Sequence, residues 1–431
     1  MLPLNKKGSS IVALAMIFVT LMICITSAIS IARGLVVKSE CEMFGHVWCK
    51  AILSEYDRNL LDNYGIMAYW GNDVEVQNRI NSYLTYSSKN KLDAQIGNSS
   101  SQIIGYELGD IDNFKKAIEN GWASNLLSSN EKKRIKRDKY SSNDNQYGKR
   151  IIANNVVIDT LPSNGLQTGE SIKPIVSIIK DGESLNKLLT LSKEIGAEYL
   201  VLNICMDNSV TTANKKEGYF RNEWEYIIGG SMDDETNLNR CKTGLFLIRN
   251  ALNIAYLTTN PEKKALINTV SEVLSPGASG LLTSAIITEI WAAAESKVDV
   301  NNLLDNRRVP FVKTKDSWQT DLRKILDDNG IKNRLNEDGL SILEEQRKEL
   351  ENSPGAKAVG SFTDGQNYDE YLLAMMMLIN ENTRTRRIMD IIQINMKYWY
   401  YRDFNMMEYY TGVRFSIKAN GRAYDFEDAY K

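Results

Sequence analysis

One histidine, five cysteines and seven prolines are spread over 431 residues. A Ser-His-Asp or Cys-His site would have to be built on His46 alone, and a zinc site lacks both a second histidine and a cysteine pair at ligand spacing. His46 falls between Phe44 and Trp48, where a surface or packing role is expected. The cysteines are too few for a disulfide scaffold. Cys24 lies inside an apolar run, and Cys41 and Cys49 are eight residues apart. On one helix that spacing is about 12 Å of rise, beyond disulfide reach. Cys205 and Cys241 fall on a predicted strand and helix; packed free thiols are expected there, with a bridge as the alternative. Charge of one sign is also lacking. Lys+Arg number 52 against 54 Asp+Glu, a net charge of -2, so nothing global favours nucleic acid. No glycine-rich phosphate loop occurs, which leaves ATP use unsupported. No cofactor, metal, catalytic residue or small-molecule substrate is implied.

What is present is an ordinary globular balance, 43% hydrophobic and 25% charged, with one exception. Ile11–Ile31 runs 21 residues without a charge. At about 1.5 Å per residue this spans a bilayer core of roughly 30 Å. It exceeds the roughly 7–15 residues of a cleavable signal, so a retained anchor in the lipid bilayer is expected. Lys6 and Lys7 precede the span, and Arg33, Lys38 and Lys50 follow it, so flanking charge does not set the orientation. A short N-terminus before a large body suits a signal anchor with the body outside the cytoplasm.

Apolar spacing through Val37, Cys41, Phe44, Trp48 and Ile52, then Tyr56, Leu60 and Tyr64, extends the helix to Gly65 as a stalk, with Gly34 as a possible hinge. The expected division is a tail over 1–10, a transmembrane helix over 11–31, a helical stalk over 32–65, a first body segment over 66–127, a basic linker over 128–150 and a main domain over 151–431. The fold class is α+β, mainly helical, with small antiparallel sheets or hairpins. Helices are predicted over Asn113–Leu127, Glu183–Ile195, from Asp233, from Pro261, over Gly277–Ser296, Asn367–Asn380 and Thr383–Tyr401. Tyr199–Met206 and Glu223–Ile228 are read as paired strands. Val413–Lys418 and Arg422–Phe426 form a hairpin around Asn420-Gly421. Gly280–Ala294 is short for a span and contains Glu289, so it is read as a buried soluble helix.

Several motifs carry chemistry elsewhere but lack the context here. Ser177-Ile-Ile-Lys180, Ser184-Leu-Asn186 and Lys242-Thr-Gly244 imitate the three signatures of serine β-lactamases. The second lies too close to the first, and the third sits in a helical pattern rather than on a strand. Leu161-Pro-Ser-Asn-Gly165 imitates a sortase signal but has Asn164 where threonine belongs. The acidic stretches Asp327–Gly330 and Asp364–Glu370 do not follow a calcium loop. The basic run Lys132–Lys139 is read as a solvated linker. Glu223 and Glu225 would share a face on a strand, the geometry paired acid/base carboxylates need. The structural reading pairs one of them with Arg249.

Short segments throughout the chain resemble an uncharacterised family of single-pass membrane proteins of Gram-positive anaerobes, often encoded near Tad-type pilus genes. They are Lys6-Lys7-Gly8, Ser54–Leu61 with Tyr64-Gly65, Asn222–Gly230, Asn237-Leu238, Leu247–Asn253, Trp291-Ala292 with Ala294-Glu295, Asp299-Val300, Val309-Pro310, Lys313-Thr314 and Ile391–Met396. The resemblance implies an accessory or pseudopilin-like component of a pilus or secretion apparatus, with other apparatus proteins as partners and no assigned activity. Type IV prepilins resemble this N-terminus in placing a glycine before a long apolar helix, but they carry a glutamate at the fifth position after it. Here that position is Ala13, so cleavage after Gly8 and polymerisation are not implied. The alternatives are an extracytoplasmic ligand-binding or sensor module and a carboxylate-dependent cell-wall hydrolase.

Overall fold

The computed structural model describes residues 6–91, 96–101, 103, 105–127, 161–163, 208–215, 218–331, 335, 337–352, 365–401 and 403–430. The expected linker over 128–150, the helix Glu183–Ile195, the strand Tyr199–Met206, Cys205 and the first two lactamase-like motifs lie outside the described residues. The chain divides into two compact units, residues 1–136 with 405–431, and residues 137–404. This grouping differs from the expected division, because the C-terminal residues belong with the N-terminal helix.

In the first unit, α1 (Lys6–Leu53) is a single helix of 48 residues. It has two halves with different surroundings. Its most apolar window is wholly exposed and is long enough to cross a membrane. From Val37 onward one face is buried: Val37, Cys41, Trp48, Cys49 and Ile52 enter the core. The helix runs unbroken through Gly34, so the expected hinge is not seen, and it stops at Leu53 rather than Tyr64. There Asp57 begins α2 (Arg58–Tyr64) by accepting the backbone N–H groups of Asn59 and Leu60, and Gly65 closes it as expected.

The partner of α1 is a sheet. β1 (Tyr69–Trp70), α3 (Asp73–Lys91), β2 (Ile96–Ser101) and α4 (Ile111–Leu127) follow, and the chain returns as β3 (Tyr409–Tyr410), β4 (Gly412–Ala419) and β5 (Arg422–Ala429). The antiparallel order is β2-β4-β5, with β1 paired separately to β3. Alternation in β4 turns Val413, Phe415, Ile417 and Ala419 inward against α1. The predicted hairpin is present: Ala419 pairs with Arg422 across Asn420 and Gly421, both at positive φ, as a type I′ turn requires. The expected stalk is therefore half of a helix-on-sheet core.

Gly45 makes that packing possible. A Cβ there would lie 2.3 Å from the Phe426 ring. Gly45→Val is expected to pry the helix from the sheet and destabilise this unit by about 1–3 kcal/mol. Thermal unfolding of the full-length protein followed by hydrogen exchange in β4 and β5 would show it; unchanged protection would contradict the packing.

The second unit is helical among its described residues. It comprises α5 (Glu223–Gly229), α6 (Asp234–Thr259), α7 (Pro261–Leu274), α8 (Gly280–Leu304), α9 (Leu322–Asp328), α10 (Glu337–Asn352), α11 (Tyr368–Met377) and α12 (Glu381–Trp399). Asp233 caps α6 and Pro261 opens α7, as the sequence predicts. Leu257, Val270, Ile287, Trp291, Trp318 and Leu326 meet in one core. The predicted strand Glu223–Ile228 is instead the helix α5. All seven of its residues are buried, so the amphipathic rhythm that marks a surface helix is missing and the β-branched, aromatic run reads as a strand.

Candidate functional site

Four charged side chains with no exposed surface meet inside the second unit: Arg249 on α6, Glu295 and Asp299 on α8, and Lys313 on the segment after α8. Arg249 approaches Asp299 Oδ2 at 2.9 Å. Lys313 Nζ lies 2.7 Å from Asp299 Oδ1 and 2.6 Å from Glu295 Oε1. One turn of α8 separates Glu295 from Asp299, which puts both carboxylates on one face to receive the cations.

The remaining polar atoms are used internally. Arg249 also donates to the carbonyls of Pro310 and Phe311, the Tyr371 hydroxyl and Asn253 Oδ1. Asn253 donates to Ser296 Oγ and Asp299 Oδ2. Glu295 accepts the backbone N–H groups of Gln319 and Thr320, and Lys313 donates to the Ser317 carbonyl. Burial pushes the Asp299 carboxyl up, but the Arg249 guanidinium and Lys313 ammonium outweigh it and hold the carboxyl below its ordinary value. The cluster is charge-balanced and clamps residues 310–320 onto α6 and α8. It offers no proton acceptor to a substrate.

The expected partnership of Arg249 with Glu223 or Glu225 is corrected: its partner is Asp299. On a helix, Glu223 and Glu225 no longer share a face. Glu223 accepts from Asn395 at 2.7 Å, whereas Glu225 Oε1 accepts from the Val210 N–H and the Tyr368 hydroxyl. Glu225 Oε2 is buried with no hydrogen-bond partner. Burial raises the Glu225 carboxyl to about 7. The next residue, Tyr226, donates to Asp390, which also accepts the Ser163 N–H, and burial raises that carboxyl to about 6. Arg387 donates to the carbonyls of Ile227 and Ile228 and so closes the C-terminal end of α5.

The other residues singled out from sequence stand apart from this cluster. His46 is exposed on α1, edge-on to Phe426. Cys241 is a buried free thiol, whereas Cys205 lies outside the described residues. Lys242-Thr-Gly244 lies within α6, a helix as expected. Asn367 and Glu370 form the capping box of α11, and Asp327 and Asp328 end α9. No group of residues among those described is arranged to hold a metal ion. A cavity of about 290 Å³ in the first unit, lined by Met67, Tyr106, Asn113, Lys116 and Tyr430, contains none of the singled-out residues.

The cluster was missed as a unit, yet its members were in view separately. Arg249, Asn253, Glu295, Asp299, Pro310 and Lys313 all belong to the short segments that carry the family resemblance. Their convergence is the physical content of those segments. A mainly helical chain with, among the described residues, one helix long and apolar enough to cross a membrane, and a buried ionic core in its second unit, is the class that the structure defines. The chain belongs to DUF5702, a family of unknown function whose profile matches residues 111–421. No curated protein and no solved structure matches it.

Proposed function

We propose that this chain is a non-enzymatic, membrane-anchored accessory or pseudopilin-like component of a Tad- or type IV-like pilus or secretion apparatus, with its body outside the cytoplasm. The observation that carries this reading is the division of α1. One half is an unpartnered apolar rod, and the other is fixed on a three-stranded sheet. A rod continuous with its head transmits position between a bilayer and a surface assembly without any catalytic step. The internally satisfied ionic cluster supports a scaffold rather than an enzyme, and the resemblance of Lys6-Lys7-Gly8 and the later segments supports the pilus setting.

Three measurements test it. The full-length chain is expected to stay with membranes through alkaline carbonate extraction. Protease added to wall-stripped intact cells is expected to cut among the lysines and arginines between Lys132 and Arg150. Release by carbonate removes the anchor, and cutting only after lysis reverses the orientation. Pilus or secretion components should co-purify with the detergent-solubilised chain; their absence from repeated purifications would remove the apparatus assignment.

A further inference from the structure

The cavity of about 290 Å³ in the first unit is built from helix, strand and loop. One wall is a single face of α4, where Asn113, Lys116, Ala117 and Asn120 recur at three- and four-residue steps. Ala429 and Tyr430, at the end of β5, form another, and Met67, Tyr106 and Thr411 complete the lining. The helical wall is pinned. A Cβ at Gly121 would strike the Gly65 carbonyl, so α4 lies backbone against backbone on the residue that closes α2.

Hydrogen bonding narrows what this cavity can hold, because its polar side chains are engaged inside the protein, with one exception. The Asn113 amide donates to the Gly105 and Glu107 carbonyls, and the Asn120 amide to the Tyr430 carbonyl. The Tyr430 hydroxyl donates to the Leu53 carbonyl, and the Thr411 hydroxyl to the Tyr106 carbonyl. The Tyr106 hydroxyl donates to Glu427, which is paired in turn with Arg414. Lys116 is the exception. It is exposed, and its ammonium has no ion pair or hydrogen bond among the described residues. A sugar or other neutral polyol would meet few free donors here. A carboxylate on an apolar body would meet one free cation beside Met67, Ala117 and two tyrosine rings.

The geometry points to a binding site for a small amphipathic carboxylate, with its anion on Lys116 and its apolar body against Tyr106 and Tyr430. The site lies wholly within the first unit and needs neither the bilayer nor the apparatus. Its failure would leave the anchored reading standing, and the reverse.

The test is fluorine NMR of N-acetyl-para-fluorophenylalanine titrated with the detergent-solubilised full-length chain, compared with the neutral amide of the same compound. The acid is expected to bind about five- to tenfold more tightly than the amide. Lys116→Gln should remove that preference; the side chain is exposed, so the variant should melt as the parent does. Ala117→Leu, which fills the cavity, should abolish binding of both compounds. Competition by a short peptide ending in a free phenylalanine carboxylate would make the ligand a chain terminus; competition by the acid alone would make it a free small molecule. The proposal is overturned by equal affinities for acid and amide, by a preference unchanged in Lys116→Gln, or by binding unchanged in a folded Ala117→Leu. Binding no greater than that to empty micelles overturns it as well.

Discussion

Replacing Asp299 with alanine is expected to destabilise the second unit by roughly 3–5 kcal/mol, because a buried charge left without its partner is far costlier than a lost surface pair. Asp299 is the shared anion of the cluster. Without it, among the described residues, Arg249 loses its one carboxylate partner and Lys313 keeps Glu295. Thermal unfolding of the detergent-solubilised full-length chain would report the loss. Hydrogen exchange at Gln319 and Thr320, whose N–H groups bond to Glu295, would place it. Arg414→Ala serves as the control: its pair with Glu427 is half-exposed, and its removal should leave the melting temperature nearly unchanged. If Asp299→Ala melts with the parent, the cluster does not hold residues 310–320.

The second large effect is on pH dependence, and its direction is unusual. Most native carboxylates have lowered pKa values and lose stability in acid. Glu225 and Asp390 are raised, to about 7 and about 6, so between their unfolded and folded values the native state holds more protons than the unfolded chain. Stability is then fully present below about pH 4 for these two groups and falls as pH rises through 6 and 7. A shift of about two units corresponds to roughly 3 kcal/mol per group as an upper bound. Asp299, held low, contributes in the opposite sense and only in acid, so it does not mask the effect above pH 5. The melting temperature of the second unit should therefore be higher at pH 5.5 than at pH 8. Glu225→Gln keeps the oxygen that accepts from Val210 and Tyr368 and should flatten the slope. A slope identical to the parent's would show that Glu225 is ionised at neutral pH in the folded chain.

Much of this architecture was legible because the signals were local. The uncharged run Ile11–Ile31, the Asp233 and Pro261 helix starts, the Gly65 closure and the Asn420-Gly421 turn each depend on a few adjacent residues. What was not legible depends on distant partners. Glu223–Ile228 reads as a strand because a short helix buried on every side has no polar face to betray its period. The partner of Arg249 could not be read from the chain. Two nearby glutamates and a more distant Asp299 are equivalent by charge, and only the packing of α6 on α8 selects among them. The grouping of the termini was hidden in the same way. A hairpin predicts its own turn, but not the helix that will lie on it.

The helix-on-sheet unit is assembled from segments far apart in the sequence. The Tyr69 hydroxyl donates to the Gly412 carbonyl, 343 residues later. At about 5–20 residues per second, its acceptor is synthesised on the order of 20–70 seconds afterwards. Through that interval the apolar face of Val37, Trp48 and Ile52 has no sheet to lie on, while residues 137–404 already hold the contacts of their own core. Maturation is accordingly ordered: residues 137–404 can close during elongation, whereas the helix-on-sheet unit becomes complete only once residues 405–431 have been made. A nascent chain stalled before Val413 would then leave Val37, Trp48 and Ile52 without the β4–β5 surface they pack on, even where its central helices are folded.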